Sequence, residues 1–265
     1  MVRRTLHVIT TKEIETITDF IKDVVKSKGC KGMVVGASGG LDSAVTTKLC
    51  ADAIGGENVL NIFMPSVVTP PADYILTNEL SRMWGTDYKV IDVQPAISTF
   101  TGMLFSNIEA SLEKGNISAR CRMTVLYNRS KKLDYLVAGT MNRSEYMMGY
   151  FTKFGDGASD LFPIVDLYKT QVRQVAEMID VPKEVINKVP TAGLWEGQTD
   201  EGEMGITYRD LDLVLDGIAF GLPDCEIAKN VTADVSKVSE IRARVAEMEH
   251  KRSAAYHPVI TFNDP

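Results

Sequence analysis

Eight consecutive residues carry the clearest chemistry in this chain: Gly36, Ala37, Ser38, Gly39, Gly40, Leu41, Asp42 and Ser43. They follow a β-branched run and lead into a stretch, 41–54, that reads as a helix. At such a helix N-terminus the first-turn N–H groups lack intrahelical partners and the dipole favours negative charge, which makes an anion trap. Glycine lets the backbone approach a phosphate with no Cβ in the way. Ser38 and Ser43 add hydroxyl donors, whereas Asp42 is out of place beside a bare phosphate. A cation between them resolves this and points to a Mg-bound polyphosphate. An ordinary strand–helix turn also uses glycine, but three glycines, two serines and an aspartate in eight residues favour a phosphate ligand. No lysine stands before Ser43, which excludes a Walker A loop. The glycine spacing excludes a dinucleotide fingerprint.

The elements that position this loop are legible in outline. Residues 33–35, 58–64, 87–93 and 134–138 read as strands, and 12–28, 41–54, 72–84, 116–132 and 169–178 as helices. Alternating strands and helices imply β-α-β crossovers, hence an α/β fold with a doubly wound parallel sheet and helices on both faces. Ligands of such sheets sit at the carboxyl ends of the strands. The 36–43 loop, residues 64–66 and residues 139–145 should meet there. Stretches 182–188, 208–220, a short one near Glu226 and 236–251 read as further helices. The expected organisation is one domain over 1–265, with a core of about 12–190 and C-terminal helices over about 205–252. Residues 150–158, aromatic and then glycine-rich, read as a mobile loop, and 191–204 as a polar loop.

Composition narrows the class. The net charge of −6 over 265 residues argues against a nucleic-acid surface, since such binders carry a basic excess. Cys30, Cys50, Cys121 and Cys225 form no C-x-x-C pair. That spacing suits neither zinc nor a disulfide framework and favours a reducing, cytoplasmic setting. No apolar run reaches membrane-spanning length.

The pattern Ser38-Gly39-Gly40-x-Asp42-Ser43 resembles the pyrophosphate loop of the ATP pyrophosphatases, the adenine nucleotide alpha-hydrolase-like group, which split ATP into AMP and pyrophosphate. Further stretches narrow the resemblance. They are Gly139-Thr140-x-Asn142-x-Ser144-Glu145, residues 149–157 (Gly-Tyr-Phe-Thr-Lys-Phe-Gly-Asp-Gly), Leu167-x-Lys169-Thr170, residues 190–194 (Pro-Thr-Ala-Gly-Leu) and Glu249-His250-Lys251-Arg252. In identity and order these resemble the ammonia-dependent NAD synthetases, from the first helix to Arg252.

The resemblance implies roles residue by residue. Asp42 and Glu145 match magnesium ligands, and residues 36–43, Thr140, Lys169 and Thr191 match ATP contacts. Read alone, Glu145 could equally be a first-turn carboxylate favoured by the helix dipole. Lys169 would neutralise the transferring α-phosphate. Arg120, Lys153, Asp160, His250 and Lys251 match contacts to deamido-NAD. Asp156 would help deprotonate ammonium or order a second cation. With Asp42 and Lys169 it completes the expected catalytic set.

The implied substrates are ATP, deamido-NAD and ammonia, and the implied assembly is a homodimer with deamido-NAD at the subunit interface. Glutamine-dependent relatives carry a fused amidase domain before the synthetase. The first helix here begins within a dozen residues, so free ammonia is the expected nitrogen source. Two features depart from the family pattern: residues 253–258, where many members carry a proline pair, and the glycine- and acid-rich stretch 195–204. The competing readings are an ATP pyrophosphatase that adenylates another acceptor, such as a tRNA base, and a non-catalytic nucleotide-binding regulator.

Overall fold

Four short strands pair into one parallel sheet: β1 (Gly32–Ala37), β2 (Val59–Phe63), the polar and largely exposed edge strand β3 (Asp87–Val90), and β4 (Tyr135–Ala138). Their order is β3-β2-β1-β4. Val34 lies opposite Leu60 on one side and Val137 on the other, so β1 is central. The computed structural model describes residues 5–104, 111–191, 193, 197 and 199–258. In chain order its α-helices are α1 (Thr11–Lys28), α2 (Leu41–Ile54), α3 (Pro71–Met83), α4 (Gln94–Met103), α5 (Ser111–Leu133), α6 (Arg143–Met148) and α7 (Lys169–Met178). Then follow α8 (Lys183–Ile186), α9 (Asp200–Met204), α10 (Tyr208–Ala219), α11 (Asp224–Ile227), α12 (Val235–Glu247) and α13 (Glu249–Arg252).

Side chains alternate across a strand, and β1 shows what that does. Met33 and Val35 enter a core shared with α1, α2, α7 and α8, while Val34 enters a second core with Ile97 of α4 and Cys121 of α5. The central strands β1 and β2 are therefore covered on both faces, as parallel sheets usually are. A third core forms away from the sheet. Leu211, Val214 and Leu215 of α10 pack there on Val238 and Ile241 of α12, with Met148 and Met204 closing it.

The chain runs from β1 outward to β3 and then returns to place β4 on the other side of β1. This reversal leaves a crevice at the carboxyl ends of β1 and β4, the switch point where open α/β sheets bind ligands.

Several boundaries differ from the sequence reading. The strand expected over 87–93 ends at Val90: Ile91 and Val93 still donate to Phe63 and Pro65, but Val93 already has helical dihedrals as the N-cap of α4. That helix was not expected, although Pro95 in its first turn is compatible with a start. The long helix of residues 116–132 begins at Ser111 instead, and the helix of 236–251 breaks at Met248. The loop 191–204 contains α9, whose N-cap Thr199 accepts from Gly202 N. Residues 150–158 form turns closed on Thr152: Gly155 and Gly157 donate to its carbonyl, and its own N–H donates to Asp156 Oδ1 at 2.8 Å. Trp195 and residues 259–265 lie outside the described residues.

Candidate functional site

The crevice opens into a cleft of about 1200 Å³ lined by the 36–43 loop, the ends of β2 and β4, residues 149–159, α7, α9 and α12. Pockets for a single small molecule usually hold up to about 1000 Å³, so this one has room for more than a nucleotide.

The loop is shaped before any ligand arrives. Gly39 has φ 75°, and a Cβ there would meet the Asp73 side chain at 3.1 Å. Ser43 Oγ donates to Gly40 O at 3.0 Å, and Gly40 N donates to Ser38 Oγ at 3.2 Å. Lys188 clamps the same loop, its Nζ donating to Gly39 O at 3.1 Å and to Asp73 Oδ1 at 2.5 Å. Gly39→Ala should therefore lose about 1–2 kcal/mol of stability from the left-handed backbone alone. Denaturant melts measure this loss.

Glu145 is aimed by its own helix end. Asn142 caps α6, its Oδ1 accepting from Glu145 N at 3.0 Å, while Glu145 Oε2 accepts from Asn142 N at 3.2 Å. This capping box fixes one carboxylate oxygen and turns the other toward the crevice. Asn142 Nδ2 also donates to Asp42 Oδ1 at 3.0 Å. One residue thus ties the first turn of α2 to that of α6.

Between these carboxylates lies the Lys169 ammonium, bonded to Asp42 Oδ2 and 3.9 Å from Glu145 Oε1. Its side chain is only 8% exposed. Burial acts to drive its proton off, but Asp42 and Glu145 outweigh burial and the net pKa shift is upward. Burial raises the Glu145 pKa most, Asp42 raises it further, and Lys169 opposes both.

Lys169 is held from below by a buried carboxylate. Lys169 N donates to Ser144 Oγ at 2.9 Å, and that hydroxyl donates to Asp212 Oδ1 at 2.5 Å. Asp212 Oδ2 accepts from both Thr170 N and Thr170 Oγ1. Asp212 of α10 thereby locks together the starts of α6 and α7. Burial pushes its pKa up to about 6. A raised folded-state pKa gives stability that is full below the unfolded value and lost as pH rises through 6. The unfolding free energy of Asp212→Asn relative to wild type should thus climb between pH 4 and 7, by up to about 3 kcal/mol. Urea melts at a series of pH values measure this slope.

The structure brings most of the expected residues together. Gly36, Ala37, Ser38, Gly40, Leu41, Asp42, Ser43, Thr140, Glu145, Asp156, Lys169, Thr191 and Lys251 all line the cleft. Asp156 lines the cleft, and desolvation there raises its pKa against Thr152 N–H, Lys251 and Arg122. Lys251 Nζ donates to Gly149 O and Phe151 O, both at 2.8 Å.

Three expected substrate contacts form a seam at the rim rather than a lining. Arg120 donates to Lys153 O at 3.3 Å, and Lys153 Nζ donates to the carbonyl of His250 at 2.5 Å. The His250 side chain is exposed. Asp160 is placed differently from the expectation. Its carboxylate accepts from Val137 N at 2.7 Å and its own N–H donates to Val137 O, closing the outer edge of β4 outside the cleft.

Four cleft residues escaped the sequence reading. Arg122 is largely enclosed and donates to Met64 O and Ser118 Oγ. The helical stripe Ser118, Arg122, Leu126 signals this, being one step from the apolar stripe Ile117, Cys121, Val125. Asp73, Lys188 and Asp200 leave no local signal.

The sequence profile described as NAD synthase matches residues 13–255. The chain belongs to the NAD synthase family. An NH(3)-dependent NAD(+) synthetase of Thermococcus kodakarensis is 43% identical over 253 residues, 92% of this chain and 96% of that one. Among solved structures, NMN synthetase from Francisella tularensis superposes with a TM-score of 0.83 at 34% identity, over 94% of this chain and 98% of that one. NH3-dependent NAD synthetase from Campylobacter jejuni, in complex with the nitrate ion, superposes with a TM-score of 0.79 at 28% identity, over 94% and 98%. The fold of this NAD synthase family chain is the adenine nucleotide alpha-hydrolase fold.

Proposed function

We infer that this chain is an ammonia-dependent ligase that amidates deamido-NAD to NAD at the expense of ATP. The nicotinate carboxylate attacks the α-phosphorus, pyrophosphate leaves, and an acyl-adenylate forms. Ammonia then attacks the acyl carbon, AMP leaves with the C–O bond electrons, and the ammonium proton passes to solvent or a cleft base. The observation that carries this reading is the Lys169 ammonium bracketed by Asp42 and Glu145 at the switch point, beside the 36–43 loop. Both nucleophiles arrive with substrates, so the protein's work is positioning and charge stabilisation.

Lys169 is placed to meet charge developing on the α-phosphate, and the 36–43 loop to hold the pyrophosphate. Arg122 secures the turn after β2 that forms the cleft wall. Residues 150–158 line the cleft beside α12, where they can keep water from the adenylate. Asp156 is proposed as the group that takes the ammonium proton, and the seam of Arg120, Lys153 and His250 with Lys251 as the deamido-NAD side of the site.

A magnesium ion fits the donor set. Mg²⁺ favours one or two carboxylates with phosphate oxygens and water, and Asp42 and Glu145 already bracket a positive charge. Among the described residues no group of three acidic, histidine or cysteine side chains stands ready for a metal, which suits an ion completed by ATP. When bound, the ion would polarise the phosphates and shield their charge.

We propose a homodimer acting in the cytoplasm. Phe100, Met103 and Leu104 of α4 and the following turn, with Leu112 of α5, leave an apolar surface exposed, of the kind that marks an interface. No helix among the described residues is long and apolar enough to cross a membrane. Sedimentation velocity tests the dimer, and a single monomer peak at micromolar protein would overturn it.

The decisive assay is NAD formation from deamido-NAD, Mg-ATP and ammonium. It is repeated with glutamine as sole nitrogen source and with nicotinate mononucleotide as acceptor. The likeness to an NMN synthetase favours the mononucleotide as the second reading. Turnover with ammonium and deamido-NAD is expected; AMP release only with the mononucleotide, or only with RNA, would overturn the first reading.

A further inference from the structure

Asp200 begins α9 inside the acid-rich stretch that the motif reading left without a role. It lines the cleft, yet it is only 3% exposed. One carboxylate oxygen is settled: Tyr208 Oη donates to Oδ2 at 2.9 Å. The other, Oδ1, is fully buried and accepts no well-formed hydrogen bond among the described residues, although the Tyr150 hydroxyl also acts on this carboxylate and lowers its pKa. A buried carboxylate oxygen without a well-formed bond is costly, which favours a partner that arrives.

Tyr208 identifies that partner. Its ring lies under the Lys169 ammonium, 5.3 Å from Nζ to centroid, while its hydroxyl holds Asp200. Lys169 and Asp200 thus share one side chain as their common wall. Asp200 also feels Lys169 directly: burial raises its pKa, and Lys169 is the foremost influence pulling it down. Its backbone N–H donates to Pro190 O at 3.1 Å, which anchors it to the segment carrying Thr191.

A divalent cation that takes Asp42 and Glu145 deprives the ammonium of both its present carboxylates. We propose that Asp200 is the positioning residue for Lys169, its Oδ1 accepting the ammonium when Asp42 and Glu145 turn to the Mg-nucleotide. This deepens, and rests on, the reading of Asp42 and Glu145 as the cation's ligands. Lys169 then keeps one anionic anchor and one ring beneath it, leaving its remaining N–H bonds free for the α-phosphate.

Four proteins test the assignment: wild type, Asp200→Asn, Lys169→Met and the double variant, with Tyr208→Phe as a milder perturbation that keeps the ring. Removing a group that orients an essential side chain typically costs about 10–100-fold. Asp200→Asn should lower kcat by that factor, with Tyr208→Phe in the same direction but smaller. In the Lys169→Met background Asp200→Asn should change kcat less than about two-fold, because residues acting as one unit are non-additive. An equal loss in both backgrounds, or no loss in either, overturns the proposal.

A structure with Mg²⁺ and a non-hydrolysable ATP analogue supplies a readout independent of turnover. Lys169 Nζ should lie within hydrogen-bond distance of Asp200 Oδ1. A cation on Asp42 and Glu145 with Lys169 pointing away from Asp200 refutes this inference alone. A nucleotide bound with no cation on those carboxylates refutes the reading beneath it.

Discussion

Replacing Lys169 with methionine should reduce kcat by at least about 10²–10³-fold, the loss that follows removal of one preorganised transition-state donor. The larger lesson lies in stability. Lys169 is the cation set between Asp42 and Glu145, with Asp200 nearby. Methionine fills its volume but leaves those carboxylates facing one another. Breaking a buried pair by removing one partner costs about 3–5 kcal/mol.

The sign of the pH dependence is set by Glu145, already raised by burial and by Asp42 with only Lys169 opposing. Without the lysine its pKa rises further. A raised carboxylate pKa gives stability that is present at low pH and lost as pH rises. The variant should therefore come nearest to wild type at about pH 5 and fall behind toward pH 8. Millimolar Mg²⁺ should raise its melting temperature more than that of wild type, because the ion replaces the missing charge. Denaturant melts over pH with and without Mg²⁺ measure both effects, and a pH-independent deficit would contradict the arrangement.

Asp42→Asn should be the other severe substitution. Asp42 accepts from two donors at once: Asn142 Nδ2 on Oδ1 and the Lys169 ammonium on Oδ2. An asparagine amide has only one acceptor oxygen, so either orientation sets its NH₂ against a donor. The isosteric change should thus destabilise by an amount on the order of the 3–5 kcal/mol of a broken buried pair. Alanine should cost less, since the space opens to the cleft and water can reach Lys169. Turnover should fall by about 10³-fold or more in both, with the Mg²⁺ dependence of ATP binding lost. Pyrophosphate release and titration of ATP with and without Mg²⁺ report it. A variant that keeps Mg²⁺-dependent binding would remove Asp42 from the cation site.

How much of this was legible before folding depends on the range over which each requirement acts. The 36–43 loop was legible because its demands are local. A left-handed glycine, two hydroxyls five positions apart and a helix start all leave marks at fixed offsets. The strand and helix plan was legible for the same reason, since periodicity reports which face is buried. Helix α4 and helix α9 were not, because one is opened by a proline-containing turn and the other is a single short turn capped by Thr199. Asp160 shows what motif matching leaves out: the match suggests a substrate contact, and the structure adds that its carboxylate accepts from the N–H of Val137 at the edge of β4.

The sequence by itself determined the glycine-rich loop at the start of α2, the α/β layering and, through resemblance, the chemistry to expect. Only the tertiary structure decided how the charges meet. Lys169 reaches Asp42 across 127 residues, Lys188 reaches Asp73 across 115, and Asp212 reaches Ser144 across 68. Such pairs follow no spacing rule, because the β-α-β crossovers and the return of the chain to β4 bring them together. A carboxylate such as Asp200 becomes informative only when burial has stripped its water and left one oxygen without a well-formed bond among the described residues.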